Sequence, residues 1–187
     1  MEHIKIRKAE LSDTEQILEI YSYYVRNTAI TFEYDVPDKE EFQERIRKIS
    51  GRYPYLVAEQ DGRIVGYAYA GTFKDRKAYD WAVEMTVYVD KDCRKGGIGK
   101  KLYEQIEKIL KQMGITNLYA CIGVPEVEDE YLTRNSIEFH EHLGFKQVGE
   151  FHNCGYKFDR WYNMVWAEKI IGEHRSGQAD IINFNEL

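Results

Sequence analysis

The sequence is poor in cysteine, and what it has is not arranged for chemistry. Cys93, Cys121 and Cys154 are the only three in 187 residues, and no C-x-x-C pair occurs. That argues against a zinc site or a redox pair, and the odd count without a disulfide framework suits a reducing compartment. No apolar run approaches the roughly 20 residues needed to cross a bilayer. The segment Met1 to Glu10 carries charge throughout and lacks an apolar signal core, so a cytoplasmic location without membrane attachment is expected. A basic excess is missing too. The formal net charge is -6, the wrong sign for a nucleic-acid binder, which needs a cationic surface to displace counterions. No internal repeat, low-complexity tract or linker interrupts the chain.

What remains is ordinary globular composition with one bias. The aromatic share is 14%, carried by 15 tyrosines, which suits a cleft or interface lined with amphipathic rings, or simply many packed rings. The length fits one domain with a good core. The expected boundaries are 1–171 for the domain and 172–187 for a polar C-terminal tail, whose Ile181, Ile182 and Phe184 dock on the domain or on a partner.

Hydrophobic periodicity supplies the elements. His3 to Arg7 alternates as a strand. Ser12 with Glu15, and Asp38 with Glu41, read as capping boxes ahead of two amphipathic helices. Tyr53 to Gln60, Arg63 to Phe73 and Tyr79 to Val89 read as three strands, with Asp61-Gly62 as a hairpin turn. A helix follows, carrying Leu102, Ile106, Ile109 and Leu110 and stopped by Gly114. Then come a strand from Asn117 to Ile122, a polar loop, and a helix from Ser136 to Leu143 ended by Gly144. Phe145 to Phe151 and Tyr156 to Glu168 read as the last two strands. The order β-α-α-β-β-β-α-β-α-β-β is mixed α/β, without the strict alternation of a doubly wound fold.

Between the Tyr79 to Val89 strand and the following helix lies Cys93-Arg94-Lys95-Gly96-Gly97-Ile98-Gly99-Lys100-Lys101. Its glycines permit close backbone approach, and the helix start offers free N–H groups and positive dipole to a phosphate. It is not a Walker A loop: Arg94 stands where the first glycine belongs, and Lys101 where Ser or Thr would bind magnesium. It is not a Rossmann loop either, because Leu102 replaces the third glycine. The pattern that fits is R-x-x-G-x-G, Arg94 to Gly99.

Glu84 stands in a strongly apolar and aromatic strand. A carboxylate there is costly unless it is paired or faces a cleft. An apolar setting raises its pKa and suits a general base near neutrality. The same position reads equally well as an outward-facing strand residue. His140-Glu141-His142 is not H-E-x-x-H, since side chains two apart point to different sides of a helix, so no metal is expected.

The glycine loop in this place resembles the acyl-CoA motif of the GNAT superfamily of N-acetyltransferases. RNTAITFE (Arg26 to Glu33), YDWAVEMTVYV (Tyr79 to Val89), SIEFHEHLGF (Ser136 to Phe145) and GYKFDRW (Gly155 to Trp161) resemble its phosphinothricin acetyltransferase group. The resemblance covers roughly residues 3 to 170. It implies a single-domain, mostly antiparallel, twisted sheet flanked by helices. It also implies acetyl-CoA as co-substrate and an amino-acid-like primary amine, such as phosphinothricin or methionine sulfoximine, as acceptor.

Carried onto matching positions, the resemblance makes Glu84 the general base and puts His140 where many members have a tyrosine acid. It assigns Val87, Tyr88 and Val89 to the pantetheine arm, and Arg94, Lys95, Gly96, Gly97, Ile98, Gly99 and Lys100 to the pyrophosphate. Lys74, Asp75, Arg76, Met85 and Thr86 match the amine site, with Thr31, Phe32 and Glu33 as its other wall. The group's N-x-x-S is altered: Ser136 is in place, Thr133 stands where the asparagine belongs, and Asn135 is carried over as the cofactor contact. A homodimer is expected from the resemblance and from the aromatic strand Trp161 to Trp166. The alternatives are acetylation of a peptide or protein amine, and an acyl-CoA-binding regulatory module without turnover.

Overall fold

A computed structural model describes residues 4–94 and 96–187. Four helices, α1 (Thr14–Asn27), α2 (Lys39–Ser50), α3 (Ile98–Met113) and α4 (Asn135–His142), accompany seven strands. The strands are β1 (Lys5–Lys8), β2 (Tyr55–Gln60), β3 (Arg63–Thr72), β4 (Ala82–Val89), β5 (Asn117–Val124), β6 (Lys146–Lys157) and β7 (Arg160–Ile170). They form one sheet in the order β1-β2-β3-β4-β5-β7-β6, so the expected mixed α/β class and element order hold. Among the described residues no helix is long and apolar enough to cross a membrane.

The chain divides into two compact units: Met1–Ile20, Pro37–Leu118 and Ile170–Leu187 form the first, and Tyr21–Val36 with Tyr119–Lys169 the second. In the first, β1 to β4 run as an antiparallel meander. The β2–β3 turn uses Asp61 and Gly62 at φ 52° and 80°, as the dipeptide predicts. The α3 helix packs on β2, β3 and β4 through fully buried Leu102, Ile106, Leu110 and Met113. Asp38 caps α2 by accepting from the Glu41 N–H at 2.8 Å. The Ser12 cap does not form. The Glu10 N–H instead donates to Asp13 at 2.8 Å, and Asp13 is recruited by an ion pair with Arg7 at 2.7 Å that local sequence does not reveal.

The tail docks within the same unit. The Trp81 indole donates to the Ala179 carbonyl at 2.7 Å, the Ile182 N–H to Met113 at 2.9 Å, and the Phe184 N–H to Arg52 at 3.1 Å.

In the second unit β6 and β7 form an antiparallel hairpin. The stretch Tyr156 to Glu168, expected as one strand, is broken by a two-residue turn. Phe158 and Asp159 take φ 53° and 57°, without the glycine or asparagine such a turn usually carries. A tertiary contact stabilises it: Phe158 stacks on Tyr131 at 4.1 Å between ring centres.

The acidic loop before α4 is pinned rather than loose. Asp129 accepts from the Tyr131 and Leu132 N–H groups at 2.8 Å each and from the Tyr162 hydroxyl at 2.9 Å. Burial alone would raise its pKa, but the Arg160 hydrogen bond and these donors outweigh it and lower it. Leu132, Ala29 and Tyr162 make a small core, with Phe32 and Tyr131 packed against it.

Within α4, His140 is 4% exposed. Its Nδ1 lies 2.7 Å from the Ser136 carbonyl, and the ring meets Phe139 and Phe145 edge-on. Burial lowers its pKa from 6.5 to about 4 against the smaller opposing pull of that carbonyl. A histidine kept neutral in the fold but protonated when unfolded contributes stability above pH 6.5, and that contribution fades as pH falls towards 4. Urea titrations at pH 7 and pH 5 should therefore show an acid-induced loss that His140→Gln diminishes. The His140 share of the wild-type loss has a ceiling of about 3 kcal/mol once both pKa values are passed. An equal loss in both proteins would contradict the assignment.

Candidate active site

The β4 strand decides where Glu84 points. Side chains alternate along a strand, and Val83 and Met85 are buried at 0% and 4% on the side opposite Glu84, Thr86 and Tyr88. Met85, expected at the amine, therefore faces away from the Glu84 carboxylate, and its backbone is what it offers on that side. In register across β3, Glu84 meets Gly71, Thr86 meets Tyr69, and Tyr88 meets Tyr67. A methyl added at Gly71 would touch nothing within 4 Å, so there is open space beside the carboxylate.

That face is rich in tyrosine. Tyr55 stacks on Tyr69 at 4.9 Å and on Tyr67 at 5.8 Å, and Tyr67 on Tyr88 at 5.5 Å. Part of the tyrosine surplus thus forms a row leading along β3 and β4 to Glu84. Burial raises the Glu84 pKa, and the Lys74 ammonium opposes the rise. Tyr103 on α3 is 4% exposed, and its hydroxyl is pushed upward by burial, then by the charges of Tyr69 and Glu84. Tyr103 and Gly71 were not singled out by sequence. Tyr103 does sit one helical turn after Gly99, among the apolar positions of α3.

The candidate anion end is built from the β4 terminus onward. Asp90, 8% exposed, caps the short 3-10 turn Lys91–Cys93 by accepting from the Asp92 N–H at 2.9 Å, and also accepts from Arg63 at 2.5 Å. Arg94, Gly96 and Gly97 are exposed beyond it, and Lys95 lies outside the described residues. Gly97 takes φ 75°, a left-handed conformation that turns the chain into α3. Ile98 is buried and anchors the helix start against Gly66, where an added methyl would come within 3.1 Å of Ile98 and 3.2 Å of the Tyr88 carbonyl. The first turn of α3 therefore stands close to β3 and β4, and a helix start of this kind suits an anion; Lys100 in that turn lies 3.9 Å from the Glu104 carboxylate.

Lys74, Asp75 and Arg76 lie exposed on the irregular segment ahead of β4. The Lys74 ammonium sits 5.1 Å over the Phe73 ring. This segment and the docked tail meet at Trp81 and Ala179.

In the second unit, Asn135 is exposed at the start of α4 and His140 is buried within it. Hydrogen-bonded through Nδ1 to a carbonyl and neutral at physiological pH, His140 holds that proton in a structural bond, which does not favour the acid role expected for it. Thr31 is buried, its hydroxyl 3.0 Å from Tyr21. Phe32 is half-buried and stacks with Tyr162 at 6.4 Å, and the Glu33 N–H donates to the Thr31 hydroxyl at 3.3 Å. Among the described residues no group of three or more His, Cys, Asp or Glu is placed to hold a metal ion.

Comparison with known proteins identifies the family. The acetyltransferase (GNAT) domain family matches residues 6–166. Phosphinothricin N-acetyltransferase of Streptomyces viridochromogenes is 33% identical over 89% of this chain and 87% of its own length. L-methionine sulfoximine/L-methionine sulfone acetyltransferase of Salmonella typhimurium is 29% identical over 93% and 98%. The crystal structure of a phosphinothricin acetyltransferase from Sinorhizobium meliloti in complex with acetyl-CoA superimposes with TM-score 0.84 at 33% identity, covering 90% of this chain and 89% of that one. The chain therefore belongs to the GNAT family and is an acetyl-CoA-dependent acetyltransferase.

Proposed function

We propose that this enzyme transfers the acetyl group of acetyl-CoA to the primary amine of a small amino-acid-like molecule of the phosphinothricin or methionine sulfoximine type, with Glu84 as general base. The observation that carries this reading is the Glu84 carboxylate itself: desolvated, raised in pKa and set opposite a glycine that leaves room beside it. An ammonium cannot attack a thioester. Glu84 takes one proton from it, directly or through a water, the nitrogen lone pair forms the N–C bond, and the C–S bond breaks. The thiolate leaves with the electron pair and takes up the second proton, which the acetylated nitrogen sheds, so the products are the amide and the CoA thiol. No covalent enzyme intermediate is needed, so positioning of two reactants supplies much of the rate.

In this reading the α3 start, with Arg94, Gly96 to Lys100 and Lys95, holds the pyrophosphate, and the Val87 to Val89 backbone holds the pantetheine arm. Arg76 pairs its planar fork with the amino-acid carboxylate. Lys74, Asp75 and Thr86 are read as acceptor contacts, and so are Phe32 and Glu33. His140 acts as a neutral support for α4, and Asn135 at that helix start contacts the cofactor. The names of the relatives support the choice of acceptor class.

The hairpin edge supports a homodimer. Phe151, Trp161 and Tyr156 are 54%, 60% and 43% exposed on β6 and β7, a large apolar display for a monomer. Sedimentation should give twice the chain mass for the wild type and a shift towards monomer for Trp161→Glu; a wild-type monomer would refute the dimer.

Glu84→Gln should lower kcat by about 10²- to 10⁴-fold while the CoA dissociation constant stays nearly unchanged. Full activity at neutral pH would exclude the general-base role. Lys74→Met removes the charge that opposes the rise in the Glu84 pKa, so the acid limb of the kcat/KM profile should move to higher pH. A limb that stays put, or moves down, would separate Lys74 from Glu84.

A further inference from the structure

Lys157 is 4% exposed, a burial that lysines rarely reach. Its Nζ donates to the carbonyls of Val25, Thr28 and Thr31, each at 2.8 Å. An ammonium has three N–H donors, and here three carbonyls take them. A neutral amine has only two, and its lone pair would face the third carbonyl. Two of the carbonyls, those of Val25 and Thr28, lie at the C-terminal end of α1, where carbonyls lack intrahelical donors and the dipole favours a cation. Glu33 favours the charged form, and the Phe158 ring lies 5.1 Å from the ammonium.

The same strand grips the segment a second time. Gly155, two residues earlier and on the same side of β6, receives the Phe32 ring, where an added methyl would fall 2.3 Å from a ring carbon. Gly123 closes the ring from another side, with an added methyl 3.5 Å away. Lys157 thus holds the backbone of residues 28–31, and Gly155 with Gly123 holds the side chain of Phe32.

We propose that Lys157 is a positioning residue for amine binding: its ammonium fixes the turn from Thr28 to Glu33, so that Phe32 and Glu33 present one shape to the acceptor. This rests on the reading of Phe32 and Glu33 as a wall of the amine site. The ordering lies in the free protein, so its loss weakens amine binding more than chemistry or cofactor binding. Burial lowers the Lys157 pKa to about 8 against the smaller pull of Glu33, which puts release of the turn within reach of ordinary alkaline pH. The sign is that of a cation-dependent lock: the turn is held below that pKa and loosens above it.

Two measurements test it. Lys157→Met keeps the stem and removes the donors. At neutral pH it should raise the amine KM by about tenfold or more, with kcat and the CoA dissociation constant changed by less than about threefold. The ratio of variant to wild-type KM should shrink as pH rises above about 8, which cancels any titration of the amine itself. Lys157→Arg, cationic but forked, should recover part of the loss. An unchanged amine KM in a folded Lys157→Met protein overturns the proposal. The second measurement needs no substitution and no substrate: amide hydrogen exchange of wild type. Exchange at residues 28–33 should accelerate relative to the rest of the protein between about pH 7 and about pH 9. Uniform acceleration overturns the lock. If the wild type acetylates no amine, the functional reading fails by itself, and the exchange result still decides whether Lys157 holds the turn.

Discussion

The proposed mechanism turns on a carboxylate that must give up water without giving up its charge. Glu84 is placed on a strand between Val83 and Met85, which are buried on its other face, beside tyrosines and opposite a glycine. Burial moves its proton affinity towards neutrality, and Lys74 limits how far. A base too weak leaves the ammonium intact, and one too strong stays protonated. In the proposed mechanism the balance of these two influences sets the working pH range.

The proposed pyrophosphate site imposes a complementary demand, since a helix N-terminus is useful only if it comes close to the reacting strand. Gly66 and buried Ile98 meet that demand by bringing the start of α3 against β3 and β4, and Asp90 fixes the turn that leads into it. In that proposal an acidic chain carries a site for a polyanion, because the attraction comes from oriented backbone and a few local cations rather than from net charge.

Much of this was legible in the sequence where local chemistry decides. The Asp38 cap, the Asp61-Gly62 turn and the helix stop at Gly114, with φ 88°, follow from residue type alone. The glycine loop and the isolated Glu84 stood out for the same reason. What was not legible depends on partners distant in sequence. The Phe158-Asp159 turn is stabilised by Tyr131, and the Asp13 cap by Arg7. Gly71 opposite Glu84 follows from a β3–β4 register that an irregular connection sets. Phe32, expected simply as a wall, owes its place to two glycines and a buried lysine far along the chain.

The central claim is direct acetyl transfer to an amino-acid amine. The most direct measurement is CoA-thiol release by the wild-type enzyme with acetyl-CoA and a panel of amines, with products identified by mass. The panel holds methionine sulfoximine, phosphinothricin, ordinary amino acids and a peptide with a free N-terminus. The account predicts stoichiometric thiol and N-acetylated product with one or more small amino-acid-like acceptors, and much slower turnover with the peptide. Tight CoA binding without thiol release for any amine, or turnover confined to the peptide, would contradict it.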